Sequence, residues 1–507
     1  MRTVIKTLVV AALMVATGVP TALTTFVHSE REVVIGAHDA TVKPDFEGWA
    51  VFDFGAVLPR IRLPMQDSPA GIGVTVRLGD SDVSSLNEIV ARDAVIASQP
   101  QGEVETVRVA VRSMALDAAA RGAGVGLLVG AGSIVVWRAV GRRRRRELWD
   151  NWRRPDTRRS LIGGGVVLAT VVALVLVAVP DRPREDTATW SPLRTVFPGV
   201  PRDELLDTVQ VADSASAAGS RALVEGAVKT YHESQEFYGK LAQTAATTQV
   251  RQPGADEVTA LVVTDRHDNI GMDPVARAIG RQAQASLLFD LGDDTSTGAS
   301  WEAFSLNSLA REFRGYSVVS VAGNHDTGGF IKRQMRDKGF TLLSGEPVDV
   351  EGIRFIGDSD PRSSGLTAGY SGDENDNIAA IGRQDEALTQ AACDDGRVSV
   401  ALVHSSASAK KLAASGCVDL VLSGHLHRQV GPTTTVGANA RSTTTLATGS
   451  TGGAVYAFAL GSKLRREAQV TIVTFRDGVP VGLQPVSFKP GGIIEVADYF
   501  PIDASER

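Results

Sequence analysis

Apolar positions along this chain fall into two patterns. The first is long and unbroken. Thr7–Val27 and Ser160–Pro180 carry no charge at all, and Gly122–Val140 carries only Arg138 near its end. A bilayer crossing takes about 20 residues of helix, and a soluble helix of that length would show a polar face. The spacing therefore predicts three membrane spans, the first an uncleaved anchor in preference to its alternative, a cleaved signal peptide. Gly126 and Gly130 in the second stand four apart, which permits close helix approach. The second pattern lies further on and is short. Val258–Thr264, Ser286–Leu291, Ser317–Ala322, Val398–Val403 and Val418–Ser423 are mostly apolar rather than alternating, as strands buried on both faces are. Helix-length stretches, Pro274–Ala285 and Glu302–Phe313, separate the first of them. That βαβ rhythm predicts a parallel sheet, with whatever follows each strand collected on one rim.

Weaker patterns fill in the rest. Gly71–Leu78 reads as a strand, and Ser84–Ala97 and Glu103–Arg121 as helices. Prolines 180, 183, 192, 198 and 201 predict linker over 181–215. Leu223, Ala227, Tyr231, Tyr238 and Leu241 recur at helical spacing and predict an amphipathic helix over 217–245. Thr443–Ala447, Ala454–Leu460, Val470–Phe475 and Val481–Phe488 read as further strands, and the polar end as a loose tail. The expected organisation is an N-terminal transmembrane anchor over 1–31, then an extracytoplasmic α+β module over 32–121. A transmembrane hairpin follows over 122–180, linker and helix over 181–255, the main α/β domain over 256–490 and a tail over 491–507.

Charge orients the spans. The net charge is −6, yet Arg142–Arg159 holds nine Arg against Glu147, Asp150 and Asp156, a local +6, so the remainder carries −6 − 6 = −12. An Arg-rich segment between two spans belongs in the cytoplasm, and Arg2 and Lys6 before the first span agree with it. Residues 28–121 and 181–507 then lie outside, in a multi-pass protein of the cell membrane whose partner is the lipid bilayer. No broad basic face suggests nucleic acid. The two cysteines, Cys393 and Cys417, are too few for a disulfide scaffold but could form one bridge on the oxidising side of a membrane.

The chemistry lies where the short runs end. Asp265-Arg266-His267, Gly292-Asp293, Gly323-Asn324-His325-Asp326, His404 and Gly424-His425-Leu426-His427 follow the five strands, and they hold five of the chain's eight histidines. Carboxylates, imidazoles and an amide carbonyl form a mixed N/O donor set that suits Mn, Fe, Zn or Ni rather than Ca. Seven donors exceed the needs of one ion. Two ions sharing a carboxylate fit better, and such pairs activate water and clamp a phosphoryl group. Glycines before the polar residues permit tight turns.

This ordered series resembles the signature of the calcineurin-like metallophosphoesterase superfamily, over roughly 256–460. The resemblance implies a four-layer αββα sandwich with two divalent transition metal ions at the strand ends. By position, Asp265, His267, Asp293 and His427 would hold one ion. Asp293, Asn324, His404 and His425 would hold the other. His325 would contact the phosphate and assist the leaving group, with Asp326 orienting it. The family's second block usually reads Gly-Asp-x-x-Asp, and here its last position is Ser296, which argues against a tyrosinate-bound ferric centre. The function expected is a membrane-anchored phosphoesterase that hydrolyses phosphomono- or phosphodiesters through a metal-bridging hydroxide. The alternative is a catalytically silent metal-binding envelope protein acting in partner or lipid binding. Asp358–Arg362 and Gly449–Gly453 are further candidates for lining the substrate pocket.

Overall fold

The computed structural model describes residues 2–35, 38–54, 59–65, 71–81, 101–153, 188–198, 206–212, 221–365, 369–396, 398–453 and 463–502. Ser84–Ala97, Ser160–Pro180 and Ala454–Leu460 lie outside them. The chain divides into two compact units, 1–81 with 106–221, and 82–105 with 222–507.

The first unit begins with helix α1 (Arg2–Val27), followed by strands β1 (Arg31–Ile35), β2 (His38–Asp45), β3 (Trp49–Asp53), β4 (Ile61–Pro64) and β5 (Gly73–Ser81). Helix α2 (Gln101–Ala139) and helix α3 (Arg142–Arg153) come next, then β6 (Trp190–Pro192) and β7 (Gln210–Ala212). The strands form one sheet in the order β1-β2-β5-β3-β4-β7-β6. Two expectations change here. The stretch read as linker contributes β6 and β7, since β7 pairs with both β4 and β6. Three-residue strands are too short to carry a periodicity, and Pro192 is tolerated at a sheet edge. The Arg cluster, expected as a loop, is helical from Arg142 to Arg153.

Helix α2 is two things in sequence. Its first half places Val107, Ala110, Met114 and Ala118, at helical spacing, in a core with Val42, Val74 and Val76 of the sheet. Its second half runs against α1. A Cβ on Gly122 would lie 2.5 Å from the carbonyl oxygen of Gly18, so only glycine admits this approach. The other faces of both helices stay bare. Leu8, Leu13, Val19, Leu127, Leu128 and Val135 are exposed.

The second unit opens with α4 (Arg221–Ala245), β8 (Glu257–Val263), α5 (Met272–Gln282), β9 (Leu287–Asp290), α6 (Ala303–Glu312), β10 (Ser317–Ser320), α7 (Gly328–Asp337) and β11 (Thr341–Leu342). It continues with β12 (Val348–Val350), β13 (Ile353–Asp358), α8 (Glu374–Asp395), β14 (Val398–Val403), α9 (Lys410–Ser415), β15 (Val418–Ser423), β16 (Val430–Val436) and β17 (Ser442–Ala447). It closes with β18 (Ala468–Arg476), β19 (Val479–Phe488), β20 (Ile494–Val496) and β21 (Phe500–Pro501). One sheet runs β11-β10-β9-β8-β18-β19-β20 and the other β12-β13-β14-β15-β17-β16. Strands β8 to β11 are parallel, as are β13, β14, β15 and β17.

Both faces of the central strands are dry. On β8, Ala260 and Val262 face the second sheet, where Phe355, Val400, Leu402 and Leu422 meet them. Leu261 and Val263 face the helices, against Met272, Val275 and Ile279 of α5. On the far side, Leu388 of α8 and Leu412 of α9 cover Ala401 and Val403 of β14. The layers are therefore helix, sheet, sheet, helix. Period-two side chains explain why the strands read as continuously apolar. Helix α8 starts where the Asp373 carboxylate accepts from the Asn375 and Asp376 amides, and stops at Gly396 with φ 79°. Helix α4 supplies Tyr238, Leu241 and Ala245 to the same core as α5. Nor is the end of the chain loose throughout: β20 and β21 pair with β19, and Ile502 is buried.

Candidate metal centre

Each expected donor emerges within a few residues of its strand end. Asp265 and His267 follow β8, Asp293 follows β9, Asn324 follows β10, His404 follows β14, and His425 and His427 follow β15. Backbone bonds tie the loops into one rim. The Asp265 amide donates to the Gly292 carbonyl (2.8 Å), that of His267 to Asp293 (3.0 Å), and that of Gly424 to His404 (2.9 Å). This geometry is costly for the backbone. Asp265, His267, Asp293, His425 and His427 all adopt left-handed φ, between 44° and 69°. Such strain outside glycine persists where the surroundings over-determine it, and it collects at functional sites.

The glycines act in two ways. Gly292 makes a turn at φ 87°, as expected. Gly424 does not need a positive φ. A Cβ there would lie 2.0 Å from Thr264 Oγ1 and 2.6 Å from Asp265 Oδ2, so its role is to admit the carboxylate.

The donors converge in two groups, Asp265 with His267 and His427, and Asp293 with His404 and His425. Within each, the candidate ligand atoms lie within 4.8 Å of one another. His427 Nε2 is 3.2 Å from Asp265 Oδ1, and His267 Nε2 is 3.1 Å from His427 Nε2. Asp293 Oδ2 touches both groups, at 3.0 Å from His404 Nε2 and 3.8 Å from His267 Nε2.

The imidazoles are held from behind. His404 Nδ1 lies 2.8 Å from the Leu291 carbonyl and His267 Nδ1 3.2 Å from that of Thr295. An Nδ1–H donated to a carbonyl leaves Nε2 as a lone pair facing the cluster. The Asn324 amide follows the same logic. Its Nδ2 donates to Ser364 Oγ (3.0 Å), while its Oδ1 is buried with no partner among the described residues. A buried acceptor left open is expensive, and a cation relieves that cost.

Protonation follows the geometry. Burial, with the charge of His427 and despite that of Asp293, lowers His267 to about 3. Burial and the neighbouring His404 lower His425 to about 4. Both are neutral, as ligands must be. Burial opposes charge on His404, but the Asp293 carboxylate overrides it and raises the imidazole to about 10. Burial would raise Asp265 and Asp293 too. His427 holds Asp265 well below the usual carboxylate range, and His404 does the same for Asp293.

Several expectations shift. Asp326 does not orient His325. Its carboxylate accepts from the amides of Gly323 (2.9 Å), Asp293 (2.7 Å) and Thr295 (3.0 Å) and from the Thr295 hydroxyl (2.7 Å). It is a clamp on the loop carrying Asp293, because amides at the strand ends have no ladder partner left. His325 Nδ1 lies 3.0 Å from the Ser296 carbonyl instead. Arg266 is fully buried and pairs with Asp273 (2.8 Å) and Asp294 (2.6 Å), so it props the rim from below. Asn269 donates to the Tyr238 hydroxyl and the Gly452 carbonyl. Four of the Gly449–Gly453 amides are spent inside the fold: Thr451 donates to Thr264, Gly452 to Asp265, Gly449 to Gln469 and Gly453 to Ser450.

One contributor carried no signal in the sequence. Tyr370 lies with its hydroxyl 2.8 Å from His425 Nε2, and the Arg362 guanidinium sits 4.2 Å over its ring. Arg362 is in turn held by both oxygens of Asp360. The Ser364 amide donates to the Asn324 carbonyl (2.7 Å), so this segment is anchored on the rim. A solitary tyrosine beyond the motifs has no local mark of such a contact.

A family model described as calcineurin-like phosphoesterase matches residues 258–429. A solved structure described as a novel archaeal phosphodiesterase is 13% identical, covering 43% of this chain and 93% of its own, at a TM-score of 0.24. Another is 12% identical, covering 48% and 99%, at 0.28. No curated protein matches the chain.

Proposed function

Because residues 258–429 form a calcineurin-like metallophosphoesterase domain, a metal-dependent hydrolase of phosphoric esters, we propose that this chain is a membrane-anchored dinuclear phosphoesterase. Asp265, His267, Asp293 and His427 would hold one divalent transition ion, and Asp293, Asn324, His404 and His425 the other. The observation that carries this reading is Asp293 Oδ2, within 3.0 Å of His404 Nε2 and 3.8 Å of His267 Nε2, in the position of a bridging ligand. The open Asn324 Oδ1 and the neutral His267 and His425 fit the same ions. When bound, such a pair supplies a water nucleophile ionised near neutral pH and neutralises phosphoryl charge.

The chain supplies the rest. His325 lies beside the first group, its ring edge-on to His267 at 5.1 Å. With Nδ1 on the Ser296 carbonyl, its Nε2 is the atom left to donate a proton to the leaving oxygen. Asp326 fixes Asp293 through the backbone, and Arg266 keeps the rim in place from beneath. The substrates are phosphomonoesters or phosphodiesters.

Anchoring is supported by composition and exposure. Lys6–Val27 and Glu103–Ala139 hold stretches apolar enough to span a bilayer, and little of those stretches is buried. The Gly122 half of α2 pairs with α1, and lipid is the solvent that suits their bare faces. The Arg142–Arg146 run just beyond α2 supports a cytoplasmic end there. Cys393 and Cys417 are bonded, which supports an oxidising, extracytoplasmic location for the site. The test is the full chain in detergent, assayed on an aryl phosphodiester with Mn. Hydrolysis lost both on chelation and in Asp293→Ala is expected. Hydrolysis that survives both would overturn the proposal.

A further inference from the structure

Among the described residues, no carboxylate stands behind the His325 ring. Its Nδ1 rests on one backbone carbonyl, that of Ser296. A carbonyl in a loop holds a ring only as well as the loop itself is held. The loop that carries Ser296 is gripped by Glu302, whose side chain is fully buried at the start of α6. Oε1 accepts from the Ser296 amide (2.9 Å) and the Thr297 amide (2.9 Å). Oε2 accepts from the Thr297 hydroxyl (2.6 Å) and the Ala299 amide (2.7 Å). Asp268, one residue after His267, adds a second hold on the Ser296 amide (3.1 Å). The same loop reaches the other side of His325, since the Thr297 carbonyl accepts from the Thr327 hydroxyl (2.8 Å).

Four donors converge on this one buried carboxylate, so the loop from Ser296 to Ala299 is fixed to it along its whole length. Only a carboxylate accepts at both ends without offering a donor of its own. An amide would set an N–H against the Ala299 amide. We propose that Glu302 is a positioning residue for His325, acting through the Ser296 carbonyl to aim Nε2 at the leaving oxygen. This rests on His325 as proton donor. It adds a residue that touches neither metal donor nor substrate, and that no motif contains. The balance of the step is simple. A water-derived oxygen forms a new P–O bond as the P–O bond to the leaving group breaks, the leaving oxygen takes the proton from His325 Nε2, and the ring takes a proton back from solvent.

A misaimed proton donor has a distinct signature. An alkyl leaving group needs the proton, whereas a nitrophenolate departs without it. In the full-length, Mn-loaded protein, Glu302→Gln is expected to lower kcat on an alkyl phosphoester at least about tenfold. The loss on a nitrophenyl ester is expected to stay within about threefold, with KM and bound metal unchanged. His325→Ala should show the same selectivity, and adding Glu302→Gln to it should cost no more, because two residues acting as one unit are non-additive. Glu302→Asp, which keeps the carboxyl group, should restore part of the alkyl-ester rate and covers the case in which the amide variant folds poorly. Equal losses on both esters, a loss of metal, or full additivity with His325→Ala would overturn the proposal. Should the wild type hydrolyse no ester, the function reading fails by itself. The Glu302 proposal is then decided by the 15N shifts of the His325 ring, expected to move in Glu302→Gln and not in a surface variant such as Glu386→Gln. An unmoved ring overturns it.

Discussion

His404 Nε2 lies 3.0 Å from Asp293 Oδ2, while its Nδ1 lies 2.8 Å from the Leu291 carbonyl. The imidazole of one sheet is thus locked by the backbone of the other and aimed at the carboxylate that joins the two donor groups.

That relationship makes Asp293 the most costly position in the site. Asp293→Ala removes a donor from both groups, so bound metal should fall from two ions to less than one per chain. Loss of several kcal/mol of charge stabilisation corresponds to a fall in kcat/KM of about 10³-fold or more. His404→Ala should lose one ion and keep the other. Elemental analysis beside the assay separates the two.

In the metal-free protein the three imidazoles with displaced pKa values should each shape the stability profile on one side of pH 6.5. His267 and His425 are lowered to about 3 and about 4, so their contribution is present above pH 6.5 and lost as pH falls towards those values. His404 is raised to about 10, so its contribution is present below pH 6.5 and lost as pH rises through 10. Denaturation midpoints of chelated protein from pH 4 to 10 check both limbs, and His404→Asn should flatten the upper one.

Tyr370→Phe removes the hydroxyl from His425 Nε2 and leaves the ring under Arg362. Partners behind a metal-binding imidazole typically matter by about 10–100-fold in metal affinity or activity. We expect the low end of that range, read by titrating activity against Mn. An unchanged metal titration would show that the hydroxyl does not orient the ring.

Cys393 and Cys417 close a loop of 24 residues between α8 and β15, around the strand that presents His404. Chain entropy puts such a bridge at about 3 kcal/mol. Reduction, or Cys393→Ala with Cys417→Ala, should lower the unfolding free energy by an amount of that order, read from denaturant titration.

A reporter fused after residue 150 should behave as cytoplasmic, and one fused after residue 200 as external. The reverse pattern would overturn the proposed orientation while leaving the catalytic reading intact.

The five donor blocks and the strands that carry them were legible in the sequence by themselves. Strands covered on both faces must be apolar at every position, and a metal donor set must be chemically competent, so both constraints are written residue by residue. β14 and β15 lie over 398–403 and 418–423, as their apolar runs predicted. What only the tertiary structure decided is which atom each donor turns towards the centre and what stands behind it. Asp326 faces backbone amides rather than His325, Tyr370 reaches His425 across 55 residues, and Glu302 grips the loop under His325. The first two join loops distant in the chain, the third spans six residues of one loop, and in all three the residue types serve equally well at any surface. β6 and β7 escaped notice for a related reason. A three-residue strand becomes a strand only when a neighbour supplies its hydrogen bonds, and no local pattern records that neighbour.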